Sequence, residues 1–138
     1  MKYLGLDLGS RTLGIATSDP TGLIASTYKT IRHNEEYDKL LEEVKQLIEE
    51  LKIDEVVLGF PKNMNNTIGP KGELSLDFKE KLEKLVTVPI HLQDERLTTK
   101  SATDMLIMGN VSRKDRKKVV DSVAATIILQ TFLDRKRN

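Results

Sequence analysis

Apolar and polar positions alternate at the start of the chain. In Tyr3-Leu4-Gly5-Leu6-Asp7-Leu8 the leucines share one face of a strand, while Tyr3, Gly5, Asp7 and Gly9 share the other. After a short turn at Gly9 to Thr12, residues 13–18 read as a second strand and residues 23–31 as a third, which predicts an antiparallel meander. The period then changes. From Asn34, a candidate N-cap followed by Glu35 and Glu36, the residues Tyr37, Leu40, Leu41, Val44, Leu47, Ile48 and Leu51 recur at helical spacing. Lys39, Glu42, Glu43, Glu49 and Glu50 fall on the opposite, solvated face.

Residues 56–60, VVLGF, form a short β-branched run suited to a buried strand, and the FPKNMNNTIGPKG segment after it is rich in turn formers. Pro70 fits the first position of a second helix, in which Leu74, Phe78, Leu82 and Leu85 trace one face up to about Val86. Residues 88–93, VPIHLQ, restore a strand. Thr98 is a candidate cap for a helix that turns Ala102, Met105 and Leu106 inward and stops at Gly109. A last helix runs from near Ser112 or Asp115, which have capping-box spacing, to about Leu133. The expected fold is therefore α/β: a mixed five-stranded sheet with a three-strand meander at one edge and helices on its faces.

The chain has 138 residues, the size of one domain, and 38% of them are hydrophobic, enough for one core. No stretch approaches a membrane-spanning run and no signal-like segment opens the chain, so the expectation is a cytoplasmic protein without membrane attachment. With no cysteine and two isolated histidines, thiolate chemistry and a typical structural zinc site are excluded, leaving oxygen ligands for any metal. Charge is unevenly divided. Residues 1–99 carry 13 basic and 17 acidic side chains and residues 100–138 carry 9 and 4, so a body of −4 precedes a tail of +5. The clusters RKDRKK at 113–118 and RKR at 135–137 are either solvated helix surface or a polyanion-binding stripe.

Three acids stand out against this background. Asp7 projects from a strand face whose neighbours, Gly5 and Gly9, supply no bulk; it either meets something that approaches closely or anchors a turn. At the end of the 88–95 strand, parity puts Glu95 on the face of His91 and Gln93, and Asp94 on the other face as a hydrogen-bonding or turn residue. Arg96 reads as a phosphate clamp or, more simply, as an ion-pair partner of Asp94 or Glu95. Asp121 leads a small apolar stripe of Ala124, Ala125 and Ile128. It either lies over the sheet on a closely packed helix or favours that helix's start through the macrodipole. His91 and His33 read as structural, His33 as a helix-entry residue. If Asp7, Glu95 and Asp121 converged, each pair at roughly 4 to 5 Å would repel by about 3 to 4 kcal/mol at an effective dielectric near 20. Three such pairs rival the roughly 5 to 15 kcal/mol stability of a domain, so the trio must be partly protonated or bind cations. Mg²⁺ or Mn²⁺ suits such oxygens, and pairs of these ions about 4 Å apart support in-line attack on a phosphodiester.

Four stretches, LGLDLGSRTLGIATSD, VVLGFPKNMNNTIGPKG, DERLTT at 94–99 and DSVAATIILQTFL at 121–133, resemble the bacterial YqgF or RuvX group across nearly the whole chain. That group is described as Holliday-junction resolvases of ribonuclease H-like fold and is also linked to 5′-end maturation of the small-subunit ribosomal RNA precursor. The resemblance implies a metal-dependent nuclease in one domain over 1–138, with Asp7, Glu95 and Asp121 as catalytic residues and as ligands of Mg²⁺ or Mn²⁺. Pre-16S ribosomal RNA is the first substrate expected and four-way DNA the alternative. Candidate nucleic-acid contacts are Lys62, Asn63, Arg96, Thr98, Thr99, Arg113, Lys114, Arg116, Lys117 and Lys118. The expected partner is structured or precursor RNA or branched DNA, and the expected state a monomer or weak homodimer. The first motif also looks like the phosphate-binding hairpin of actin and sugar-kinase ATPases, but those enzymes close two such domains around a nucleotide. A silent nucleic-acid-binding module is a further alternative.

Overall fold

A computed structural model describes residues 1–61, 67–94 and 113–137, with side chains of the last segment from 123 to 136. Strands β1 (Tyr3–Leu8), β2 (Thr12–Ser18) and β3 (Ala25–Arg32) lead to helix α1 (Tyr37–Glu50). Strand β4 (Glu55–Phe60), helix α2 (Pro70–Glu83), strand β5 (Ile90–Asp94) and helix α3 (Arg113–Arg137) follow. The five strands form one sheet in the order β3-β2-β1-β4-β5. β1, β2 and β3 pair antiparallel, and β1, β4 and β5 parallel, so the expected meander occupies one edge.

Each face of the sheet is covered as the strand alternation requires. Leu4, Leu6, Leu8, Leu13, Ile15, Val56, Leu58 and Ile90 pack with Leu40, Leu41, Val44, Leu47 and Ile48 of α1 and with Phe78 and Leu82 of α2. Tyr3, Ala16 and Val57 pack on the other face with Ala125, Ile128, Leu129 and Leu133 of α3. Close approach of α3 needs small partners. A methyl group on Gly5 would lie 2.8 Å from Leu129 Cβ and 3.1 Å from the Ala125 carbonyl oxygen, so only glycine fits beneath the helix.

Several element ends differ from the expectation. Asn34 does not cap α1: it and Glu35 take left-handed backbone, φ 45° and 65°, and the helix begins at Tyr37 with Glu36 at its N-cap. His33 organises this entry, its Nδ1 accepting the Glu35 N–H at 3.1 Å and its carbonyl the Glu36 N–H at 2.8 Å. The third strand starts at Ala25, because Asp19 Oδ1 accepts the Leu23 and Ile24 N–H groups at 2.9 Å each and holds them in the turn. Helix α2 begins at Pro70 as expected but ends at Glu83; the Leu85 N–H bonds the Leu82 carbonyl in a tighter turn. β5 starts at Ile90 and α3 extends past Leu133 to Arg137. The helix expected from Thr98 to Gly109 lies outside the described residues. Among the described residues no helix is long and apolar enough to cross a membrane.

Candidate active site

β1, β4 and β5 run parallel, and their carboxyl ends lie together at one edge of the sheet, the usual ligand position in open α/β folds. Asp7 stands there, half-buried, on the face that carries Tyr3 and Gly5 and that α3 covers. Its strand neighbours are glycines. Gly5 and Gly9 flank it along the strand, and Gly14 is its antiparallel partner on β2. Extending the parallel register one step past Leu6 and Leu58 brings Gly59 beside it on β4. The glycines at 14 and 59 were legible in the sequence, but pairing alone assigns them to this carboxylate.

The parity argument for β5 holds as far as the strand is described. Ile90 and Leu92 pack with the α1–α2 core. His91 turns to the α3 face and stacks on Phe132 at 5.0 Å between ring centroids. Asp94, opposite Phe60, is the last residue of the strand and falls on the face away from Asp7. Glu95, Lys62, Asn63, Arg96, Thr98 and Thr99 lie outside the described residues. Arg113, Lys114, Arg116, Lys117, Lys118 and Asp121 belong to the first half of α3, where the backbone but not the side chains is described. Helix α3 runs against β1: Lys136 meets Tyr3 at the strand's start, while Ala125 and Leu129 lie over Gly5. Its earlier turns therefore extend towards the end of β1 that carries Asp7. Among the described side chains, no three of His, Cys, Asp or Glu gather as a metal site.

At the opposite edge, where the parallel strands begin, the structure assembles a polar cluster that sequence reasoning missed. Glu55 is buried, its Oε1 2.9 Å from His91 Nε2 and its Oε2 accepting from Lys136 Nζ at 3.2 Å; Lys136 also donates to Tyr3 Oη at 2.6 Å. Burial alone would raise the Glu55 carboxyl, but hydrogen bonding by His91, Tyr3 and Lys136 outweighs it and holds the group below its ordinary value. The bonds to Tyr3 and Glu55 likewise raise the Lys136 ammonium. A cluster whose charges are matched and hydrogen-bonded ties α3 to three strands. His33 is structural too, buried against the β1–β2 turn with Nε2 2.9 Å from the Gly9 carbonyl.

A family model described as RuvX, Holliday junction resolvase, matches residues 1–135. The chain belongs to the RuvX family. A relative from Bacillus subtilis strain 168, provisionally named a pre-16S rRNA nuclease, is 53% identical over 135 residues, covering 97% of this chain and 98% of that one. A relative of the same name from Geobacillus strain WCH70 is 48% identical over 138 residues, covering 99% and 100%. Among solved structures, Thermus thermophilus RuvC in complex with a Holliday junction substrate superposes with a TM-score of 0.63 at 15% identity, covering 100% of this chain and 97% of that one. A further Thermus thermophilus RuvC structure gives a TM-score of 0.58 at 14% identity, covering 99% of this chain and 97% of that one. The RuvX chain thus has the ribonuclease H-like fold that its strand order suggests.

Proposed function

We propose that this RuvX chain is a cytoplasmic, metal-dependent nuclease that hydrolyses phosphodiester bonds during 5′-end processing of pre-16S ribosomal RNA, with residues 1–138 acting as one nuclease domain. The observation that carries the reading is the contact of Gly5 with Ala125 and Leu129. It presses α3 onto the strand face from which Asp7 projects. Asp121 precedes Ala125 by one helical turn of α3, and Glu95 follows Asp94, the last residue of β5, in sequence, so that continued alternation would give it the face of His91. Three carboxylates at the carboxyl edge of the sheet would form a hard-oxygen donor set, which suits Mg²⁺ or Mn²⁺. Asp7, Glu95 and Asp121 would hold the metal. Bound there, it would lower the pKa of an attacking water and neutralise charge on the phosphate.

The chain's own share is placement and charge. The glycines beside Asp7 add no side-chain bulk where a phosphate would approach, and Lys62, Asn63, Arg96, Thr98 and Thr99, which follow β4 and β5 in sequence, are assigned the backbone contacts. Arg113, Lys114, Arg116, Lys117 and Lys118 open α3 and supply a sequence-independent electrostatic stripe. The names of the close relatives favour ribosomal precursor RNA. The second reading, resolution of four-way DNA, is favoured by the family description and by the RuvC fold.

The test incubates the purified full chain and its Asp7→Asn variant with Mn²⁺ on pre-16S RNA and on a four-way DNA junction. The expected result is RNA cleavage by the wild type and loss of about a thousandfold or more in the folded variant, on the scale of losing an electrostatic catalytic group. Cleavage of the junction alone transfers the assignment to the resolvase reading, and intact substrates throughout refute the nuclease.

A further inference from the structure

The turn Gly9 to Thr12 follows Asp7 by two residues, and its backbone acceptors are all engaged, by His33 and Tyr37 from behind and by a bond within the turn. Gly9 O faces His33 Nε2 at 2.9 Å, Ser10 O accepts from Tyr37 Oη at 3.5 Å, and Arg11 O accepts the His33 N–H at 3.0 Å. Thr12 O accepts the Gly9 N–H at 2.8 Å and lies 3.2 Å from the same His33 nitrogen. Because His33 Nδ1 accepts the Glu35 N–H, the ring proton sits on Nε2 and is shared between two of these carbonyls. His33 itself is buried and stacked on Tyr37 at 5.1 Å. The left-handed pair Asn34 and Glu35 brings α1 in close behind it.

The outward side of the turn has the opposite character. Ser10 and Arg11 are exposed at its tip, so a hydroxyl and a guanidinium are available to solvent while the turn's carbonyls, which would repel an anion, are already hydrogen-bonded. Such an element, fixed beside a half-buried carboxylate at the carboxyl edge of the sheet, has the chemistry of a phosphate clamp.

We propose that Arg11, with Ser10, binds a backbone phosphate of the RNA substrate beside the site of Asp7, and that His33 is a positioning residue that holds the turn for this contact. The inference rests on the nuclease reading for its substrate, but its test reads binding and not cleavage. Full-length Asp7→Asn protein is titrated with a pre-16S RNA fragment at several salt concentrations, with and without Arg11→Ala. Lys84→Ala, an exposed lysine at the far end of α2, is the control. Arg11→Ala is expected to weaken binding roughly tenfold or more, as for a lost charge-assisted contact, and to reduce the slope of log affinity against log salt by about one. Its melting temperature should stay unchanged. The control should alter neither affinity nor slope.

His33→Ala, assayed well below its melting temperature, should reproduce the change in slope and add little to it when combined with Arg11→Ala. Unchanged affinity and slope in Arg11→Ala overturn the clamp, whatever the cleavage assay gives. A His33→Ala protein that melts earlier yet binds with the wild-type slope overturns the positioning role. Wild-type protein that binds RNA through Arg11 but never cuts it refutes the nuclease reading and leaves the clamp standing.

Discussion

Single side chains here act through what surrounds them. Asp7 is one acid among 21 Asp and Glu residues, and it is distinguished by the glycines on every side of it. Glu55 has the reverse setting: buried, yet held charged by three donors. Its folded-state pKa lies below the ordinary 4.5, so its contribution to stability is complete above about that pH and is lost as pH falls through the folded value. Glu55→Gln should therefore melt earlier than wild type at pH 7, with the gap closing in thermal scans taken progressively below pH 4.5. A gap independent of pH would show that the charge is immaterial. Asp19 titrates with the same sign: the Thr21 hydroxyl and the Ile24, Leu23 and Thr21 N–H groups hold its carboxyl well below the usual range. For His33, truncation to alanine removes the ring partner of the Gly9 carbonyl and of the Glu35 N–H, while the Thr12 carbonyl keeps the Gly9 N–H. A loss of about 1 to 3 kcal/mol in denaturant unfolding is expected, the cost of leaving buried polar groups unsatisfied.

At the scale of elements, the decisive contact is helix on sheet. Helix α3 covers one face through Ala125, Ile128, Leu129 and Leu133, and Gly5 marks its closest approach to β1. Gly5→Ala should cost about 1 to 3 kcal/mol by overpacking, since the methyl meets Leu129 Cβ and backbone of the helix and neither can retreat cheaply. The same variant should weaken Mn²⁺ binding measured by calorimetry, because α3 carries Asp121; full stability and unaltered binding together would contradict the packing argument. Gln130 shows how firmly this helix is indexed on the meander: its side-chain amide accepts the Ala25 N–H at 2.8 Å and donates to the Leu23 carbonyl at 3.0 Å, as a neighbouring strand would. Element types were legible in the chain because periods of 2 and 3.6 are local properties. Their ends were less so. Asn34 and Glu35 read as a helix start, yet His33 is committed to the β1–β2 turn and forces the chain through left-handed backbone first.

At the scale of the whole molecule, the proposed site is built from both ends of the sequence: Asp7 near the start, Glu95 beyond β5 and Asp121 in the last helix. Metal binding should then stabilise the whole fold. At 100 times its dissociation constant, Mn²⁺ should add about 2.7 kcal/mol to wild-type stability by mass action. Asp7→Asn should lose most of that gain and melt higher than wild type in chelator, having lost one repelled charge. Equal metal-induced shifts in both proteins would remove Asp7 from the metal site.

Alternation, helical spacing and the four motifs are written in neighbouring residues, so the sequence alone specified the described strands and helices, the faces they bury and the family. It also determined that Asp7 shares a strand face with Gly5 and Gly9. Tertiary structure alone decided that α3 lies on that face, that Gly14 and Gly59 flank Asp7 on the neighbouring strands, and that His91, Glu55, Lys136 and Tyr3 join at the opposite edge. The reason is physical: each of these depends on strand register and helix position, which are fixed by the packing of residues up to 133 positions apart in the chain.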